Sequence, residues 1–224
     1  MIAALDGALQ EHCADPGLLA VLLDQEGPNF SFGASIEEHL PDQCADMIRT
    51  MHRLVIRMVE CPVPILVSVA GYCLGGGLEV AMAGHLIFAA PDTKLGQPEI
   101  KLAVFAPAAS CLLGARIGQA RAEDLLFSGR SIDAEEAWRM GLVNAVADDP
   151  EAAALTYFDT HLSGLSASSL RFAVRAARTG YADRIKQKLA RVESLYLTEL
   201  MRTHDPVEGL EAFMEKRPAK WEHR

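Results

Sequence analysis

The sequence contains no run of 18 or more apolar residues, the length that an α-helix needs to cross a membrane. Its longest uncharged stretch, residues 61–78, is interrupted by two prolines and four glycines. The first residues have no basic segment and include Asp6, so they do not resemble a secretory signal. We therefore expect a cytoplasmic protein with no membrane partner.

Basic residues are also scarce, since 21 Lys and Arg stand against 30 Asp and Glu and give a net charge of −9. Non-specific nucleic-acid binding depends on clustered Lys and Arg, so the sequence argues against a nucleic-acid partner. The five cysteines form no CxxC pair, and we interpret them as buried, reduced thiols. His52 and His85 are isolated, which predicts surface or helix-end roles and no metal site.

Half of the residues are apolar, which is ordinary for a globular protein. Short apolar runs at residues 18–23, 65–69 and 86–90 predict buried strands that alternate with helices, an α/β pattern with a mainly parallel sheet. After residue 107 helical periodicity dominates. We predict a core over residues 1–148 and a C-terminal helical region over residues 149–224. The last helix has Leu210 and Phe213 on one side, which predicts a homo-oligomer.

Two loops are candidates for binding negative charge through backbone N–H groups. Residues 71–77 read as a glycine-rich turn before a helix that begins at Leu78, and residues 32–35 follow the first predicted strand. Ser35 and Glu38 form a capping-box pattern for a short helix. Each loop could supply one N–H to the same oxygen, which would make an oxyanion hole. The alternative for the glycines is a tight packing turn.

Two acidic residues lie close to these loops in apolar surroundings. Glu79 follows Gly77 on the first turn of the predicted helix, and Glu99 follows Gly96-Gln97-Pro98. Such surroundings raise a carboxyl pKa, which lets two acids divide general acid and base work near neutral pH. The alternatives are a helix N-terminal charge for Glu79 and a solvated loop acid for Glu99.

Four segments together resemble a known family: Phe30-x-x-Gly33-Ala34, Gly71-Tyr72-x-Leu74-Gly75-Gly76-Gly77-x-Glu79, Gly96-Gln97-Pro98-Glu99 and Glu208-Gly209-x-x-Ala212-Phe213-x-Glu215-Lys216-Arg217. In this order they look like the crotonase (enoyl-CoA hydratase/isomerase) superfamily, over nearly the whole chain. The resemblance implies an α/β fold, the crotonase (ClpP-like) spiral of ββα units, with a C-terminal helical region that trimerises. It also implies an acyl-CoA thioester substrate and a homo-oligomer, either a trimer or a dimer of trimers. No cofactor is implied, because coenzyme A is part of the substrate.

The resemblance also implies roles for individual residues. The backbone N–H groups of Ala34 and Gly76 match those that hold the thioester carbonyl oxygen. Glu79 and Glu99 match the two hydratase glutamates, of which one activates water and the other delivers a proton. Having both favours hydration over isomerisation, and which glutamate takes which role stays open.

A narrower likeness lies in residues 30–41, 94–100 and 104–110, which are similar to family members that hydrate cyclic conjugated dienoyl-CoA thioesters. It implies 1,4-addition of water to cyclohexa-1,5-diene-1-carbonyl-CoA, giving 6-hydroxycyclohex-1-ene-1-carbonyl-CoA, in anaerobic aromatic degradation. The implied CoA-binding and substrate-binding residues are Phe32, Ser35, Ile36, Gly75, Pro98, Phe105, Pro107 and Lys216. The alternatives are hydration or isomerisation of cyclohex-1-ene-carbonyl-CoA or a linear 2-enoyl-CoA, and a non-catalytic acyl-CoA-binding subunit.

The chain also departs from the family pattern. Pro107 stands where ordinary members have a glycine whose N–H helps place water, and proline has no N–H to give. Glu37 and Glu38 stand where relatives often carry a lysine that assists CoA binding, so nucleotide recognition is expected to involve Lys216 or Arg217 of a neighbouring chain. The chain also starts later than family members usually do, so either Met1 is a misassigned start or the form is truncated; for a truncated form we expect weakened CoA binding.

Overall fold

The computed structural model describes all residues from Met1 to Arg224. Seven short strands run through the chain: β1 (Val21–Leu23), β2 (Ile65–Val69), β3 (Tyr72–Leu74), β4 (Leu86–Ala89), β5 (Lys94–Gly96), β6 (Ser131–Asp133) and β7 (Ala145–Val146). They form two separate sheets. The larger sheet is parallel, in the order β1-β2-β4-β7. The predicted parallel sheet is therefore confirmed.

The central strand β2 is buried at every residue, as its unbroken apolar run predicts. The prediction that the first strand is buried on both faces was wrong, because β1 lies at the edge of the sheet and its residues are only partly buried. Predicted strand 86–90 matches β4 closely.

The smaller sheet has the order β3-β5-β6, with β3 parallel to β5 and β5 antiparallel to β6. None of these three strands was predicted from the sequence. Residues 71–77, expected as a continuous turn, contain β3, and the following helix begins at Gly76 rather than Leu78. This small sheet matters for function because β3 and β5 each end beside a candidate site residue.

Ten α-helices surround the sheets: α1 (Ile2–His12), α2 (Cys44–Val59), α3 (Gly76–Ala83), α4 (Pro107–Ile117), α5 (Gln119–Ser128), α6 (Ala134–Met140), α7 (Pro150–His161), α8 (Ala167–Arg178), α9 (Tyr181–Ser194) and α10 (Asp205–Met214). None of them is both long and apolar enough to span a bilayer. After α9 the chain continues as a π-helical turn over Leu195–Glu199 and a 3₁₀ turn over Leu200–Arg202.

The capping box expected at Ser35 and Glu38 is absent. Residues Glu37–His39 form a single 3₁₀ turn whose cap is Ile36, and no side chain bonds the free amides there. One turn of 3₁₀ helix follows the local chain direction and is too short to present the amides that a capping box satisfies.

The main core lies between the large sheet and α2, α3, α4 and α9. It includes Leu54, Val67 and Leu113, and also Ile185 and Leu189 from α9. A smaller cluster joins α2, α10 and the π-helical turn through Cys44, Ile48, Val104, Tyr196 and Leu210. The helices beyond residue 149 therefore complete the core and form one wall beside the candidate site.

Candidate active site

Two backbone amides meet beside the small sheet. A Cβ added to Gly76 would lie 3.5 Å from the nitrogen of Ala34, and one added to Gly33 would lie 3.4 Å from the nitrogen of Gly76. Neither the Ala34 nor the Gly76 amide donates to an acceptor within the protein. Two N–H groups from distant parts of the sequence thus lie close together, and neither has an acceptor within the protein.

Backbone hydrogen bonds to strand β3 explain why the two loops converge. Ser31 N donates to Tyr72 O and Leu74 N donates to Ser31 O, both at 2.9 Å, so the segment before Ala34 runs along the edge of β3. The sequence predicted that this loop directly follows a strand. That prediction was wrong, because β1 already ends at Leu23. The loop nevertheless lies beside Gly76, as expected, because Ser31 pairs with β3.

Gly75 is the turning point between β3 and α3. Its φ of 53° and ψ of −130° belong to a region that residues with a Cβ avoid. Its amide donates to Gly96 O at 2.9 Å, and a Cβ on Gly75 would lie only 2.6 Å from Oε1 of Glu99. Glycine is therefore required here both for the turn and for the approach of the Glu99 carboxyl group.

The Glu79 carboxyl group is buried within the protein, with 5% of the residue exposed. It lies on the first turn of α3 and accepts a hydrogen bond from Ala109 N, at 2.8 Å, near the start of α4. Burial raises the pKa of Glu79 to about 7, and the amides of Ala109 and Ala108 partly oppose that shift. Glu79 thus has the helix N-terminal position that was the alternative interpretation, and its carboxyl group is at the same time buried beside the cavity.

The Glu99 carboxyl group belongs to a 3₁₀ turn over Pro98–Leu102, directly after β5. Burial, and secondly the charge of Glu79, raise the pKa of Glu99 to about 8. With its NH₂ group turned toward Glu99, the buried Gln97 side chain donates to both carboxylate oxygens at 3.1 Å. Glu99 is thus a partly buried acid whose carboxyl group is fixed by Gln97, and not the solvated loop acid that was the alternative.

One cavity connects these groups. Its wall includes the predicted residues Phe32, Ala34, Ile36, Gly75, Gly76, Glu79, Pro98, Glu99, Phe105 and Pro107. Of the other predicted binding residues, Ser35 is not part of this wall, and Lys216 is exposed after the end of α10. No three His, Cys, Asp or Glu side chains are clustered to hold a metal ion.

The same wall contains residues that the sequence analysis missed or misread. His52, expected at the surface, is buried on α2, and its Nδ1 lies 2.7 Å from Glu193 Oε2. Tyr196 is fully buried, with its ring edge-on to Phe105 at 5.2 Å between centroids. A signal for Tyr196 was present, because it continues the helical spacing of the buried Ile185 and Leu189.

Comparison with known proteins places this geometry in a family. The model of the enoyl-CoA hydratase/isomerase family matches residues 1–224. The chain is 67% identical over 224 residues to cyclohexa-1,5-dienecarbonyl-CoA hydratase from Thauera aromatica, covering 100% of this chain and 87% of that protein. It is 36% identical over 230 residues to a probable enoyl-CoA hydratase from Mycobacterium leprae, covering 100% of this chain and 88% of the relative.

Solved structures support the same assignment. An enoyl-CoA hydratase/isomerase from Pseudoalteromonas atlantica T6c superposes with a TM-score of 0.85 at 28% identity, over 98% of this chain and 88% of that chain. An enoyl-CoA hydratase from Bacillus halodurans has the same fold, with a TM-score of 0.87 at 19% identity over 94% and 88% of the two chains. The α/β crotonase fold expected from the sequence is confirmed, and the chain belongs to the enoyl-CoA hydratase/isomerase (crotonase) family.

Proposed function

We propose that this protein hydrates a cyclic conjugated dienoyl-CoA, converting cyclohexa-1,5-diene-1-carbonyl-CoA to 6-hydroxycyclohex-1-ene-1-carbonyl-CoA. One observation carries the reaction type: two unpaired amides and two carboxyl groups with raised pKa values face one cavity. The acyl group is taken from the name of the Thauera aromatica relative, which is 67% identical to this chain.

The amides of Ala34 and Gly76 bind the thioester oxygen in this proposal. As water adds to the ring, negative charge develops on that oxygen, and preorganised donors stabilise it more strongly than they stabilise the neutral substrate. Each donor of this kind contributes roughly 3 kcal/mol, or about 10²–10³ in rate.

The roles of the two carboxyl groups in this proposal start from geometry, because the Ala109 amide donates to Glu79 and so favours its carboxylate form. Near neutral pH the lower pKa of Glu79 favours its carboxylate, and the higher pKa of Glu99 favours its protonated form. Glu79 therefore removes a proton from water as the water oxygen bonds to the ring carbon β to the carbonyl. Glu99 gives its proton to the distal diene carbon, and the remaining double bond shifts between them. Passing the proton from Glu79 to Glu99 restores the starting state.

The apolar part of the cavity wall suits a carbon ring. Phe105, Pro107 and Ile48 contribute apolar surface to the wall. Pro107 is the first residue of α4. Because proline has no backbone N–H, this residue offers no hydrogen-bond donor to the cavity. Such a surface is compatible with the apolar ring of the proposed substrate.

Parallel assays with cyclohexa-1,5-diene-1-carbonyl-CoA and crotonyl-CoA test the proposal. We expect the diene to give the higher kcat/KM, with 6-hydroxycyclohex-1-ene-1-carbonyl-CoA identified by mass spectrometry. A higher kcat/KM for crotonyl-CoA would instead assign the protein to linear enoyl-CoA hydration, and absence of turnover with either would favour a binding subunit.

The pH dependence of kcat/KM provides a second test. We expect a narrow bell, because activity needs Glu79 without its proton and Glu99 with one. The low-pH limb falls as pH drops through about 7, and the high-pH limb falls as pH rises through about 8. The two apparent values belong to the interacting pair rather than to single residues. Initial rates over the range from about pH 5 to about pH 10 measure the profile, and a flat profile across it contradicts these roles.

The proposed assembly is a homo-oligomer, a trimer or dimer of trimers, that associates through the helical region of residues 149–224 around the core of residues 1–148. Exposed aromatic side chains support it, since Phe172 and Phe213 are 61% and 56% exposed on α8 and α10. In such an assembly Lys216 would reach the CoA of a neighbouring subunit, whereas the Arg217 guanidinium is already paired with Glu208 and Glu215 of its own chain. A monomer mass measured by light scattering would contradict this arrangement.

A further inference from the structure

Tyr196 forms part of the cavity wall although nothing in the proposed reaction has yet used it. It lies in the π-helical turn over Leu195–Glu199, where regular α-helical bonding is interrupted. Turns of this kind occur often at functional sites. The Phe105 ring and the small cluster around Cys44 and Leu210 hold the Tyr196 ring in place.

The Tyr196 hydroxyl group is buried and has no hydrogen-bond partner in the protein. Buried polar side chains are paired in the large majority of cases, because an unpaired one loses its hydration without compensation. Tyr196 lines the cavity that contains Glu79 and Glu99, and the charges of both carboxyl groups act on its hydroxyl group. Burial, followed by the charges of Cys44, Glu99 and Glu79, raises the pKa of Tyr196, so its O–H remains a donor at neutral pH.

Several other donors near the two carboxyl groups already have acceptors within the protein. The Ala109 amide donates to Glu79, and the Gln97 amide faces Glu99. His39 and His52 bond Ser35 O and Glu193 through Nδ1, and burial lowers the pKa of both rings. In their neutral form they present an acceptor, not a donor, at the other ring nitrogen.

From this arrangement we infer that the Tyr196 hydroxyl group donates a hydrogen bond to the oxygen atom that the reaction adds to the ring. Before addition that atom is the oxygen of the attacking water, and afterwards it is the hydroxyl oxygen of the product. The inference rests on the proposed function and names a residue that orients the nucleophile and recognises the hydroxylated ring. The thioester oxygen is bound separately, by Ala34 and Gly76.

Ligand binding to Tyr196→Phe tests the inference without depending on turnover. Titration calorimetry compares 6-hydroxycyclohex-1-ene-1-carbonyl-CoA with cyclohexane-1-carbonyl-CoA, whose ring carries no oxygen. We expect the Kd of the hydroxylated thioester to rise by about 5- to 30-fold, the effect of losing one hydrogen bond, while the other Kd changes less than about twofold. The kcat for hydration of the diene should fall by a similar factor.

Thermal unfolding separates this role from a structural one. Because the hydroxyl group has no protein partner, we expect the Tm of Tyr196→Phe to equal or exceed that of the wild type. Tyr157→Phe is the matched control, since Tyr157 packs against Phe88 and His161 on α7, away from the cavity. That substitution should leave both Kd values unchanged.

Two results would overturn the inference: unchanged Kd values for both thioesters, or an equal rise in both. Failure of the proposed function would look different. A wild-type protein that does not hydrate the diene refutes the proposed reaction, whereas the difference between the two Kd values still measures whether Tyr196 contacts the ring oxygen.

Discussion

Glu99→Gln lowers kcat for diene hydration by about 10²–10⁴, the range by which general acid–base catalysis accelerates reactions. Glutamine fills the same volume but cannot deliver a proton to the distal diene carbon. Binding should be nearly unaffected, with KM within about threefold of the wild-type value, because the thioester oxygen is still bound by the two amides. Glu79→Gln should cause a similar loss, since the water is then no longer deprotonated.

The pH profiles of these variants distinguish the two roles. Glu99→Gln should retain a low-pH limb and lose the limb near pH 8, and Glu79→Gln should do the reverse. The control is Glu135→Gln, which changes an exposed carboxylate on α6 paired only with Arg139. A kcat within about threefold of wild type in either site variant would remove that glutamate from the proposed mechanism.

Gly76→Pro removes one amide of the proposed oxyanion hole. Proline suits this position because Gly76 is the first residue of α3, where no intrahelical hydrogen bond is lost and the φ of a helix is already required. Relative to Gly76→Ala, we expect kcat/KM to fall by about 10²–10³. Steady-state assays of both variants on the same thioester measure this ratio.

Gly76→Ala is the matched control because it adds the same Cβ but keeps the N–H. That Cβ would lie 2.9 Å from the Met51 methyl group, the mobile end of a flexible side chain, and 3.5 Å from Ala34 N. The alanine variant therefore reports the effect of crowding alone. Equal kcat/KM values for the proline and alanine variants would show that the Gly76 amide does not stabilise the transition state.

The sequence predicted most of the large elements and the reacting groups. Unbroken apolar runs identified β2 and β4, and helical spacing identified α2 and the helices after residue 107. Ala34, Gly76, Glu79 and Glu99 were all predicted, and the structure gathers them around one cavity. These residues were predictable because their signals are local in sequence: glycines next to a helix start, and acidic residues among apolar neighbours.

The missed features depend on tertiary contacts. Strands β3, β5 and β6 are three residues long, which is too short for a periodic pattern to emerge, and they form only by pairing with one another. The role of Gln97 becomes visible only when its amide is seen against Glu99. His52 looked isolated because its partner, Glu193, is distant in sequence and belongs to α9.

The small sheet links some parts of the proposed active site and leaves one wall of the cavity outside its hydrogen bonds. Pairing of β3 with β5 ties the segment that carries the Gly76 amide to the segment that carries Glu99, through the bond from Gly75 N to Gly96 O. The groups of the proposed active site are therefore linked to one another through backbone hydrogen bonds. The wall made by Ile48, Phe105 and Tyr196 lies outside that ladder. Substitutions in that wall would therefore change which acyl group fits the cavity, while the two amides and the two carboxyl groups of the proposed site keep their positions.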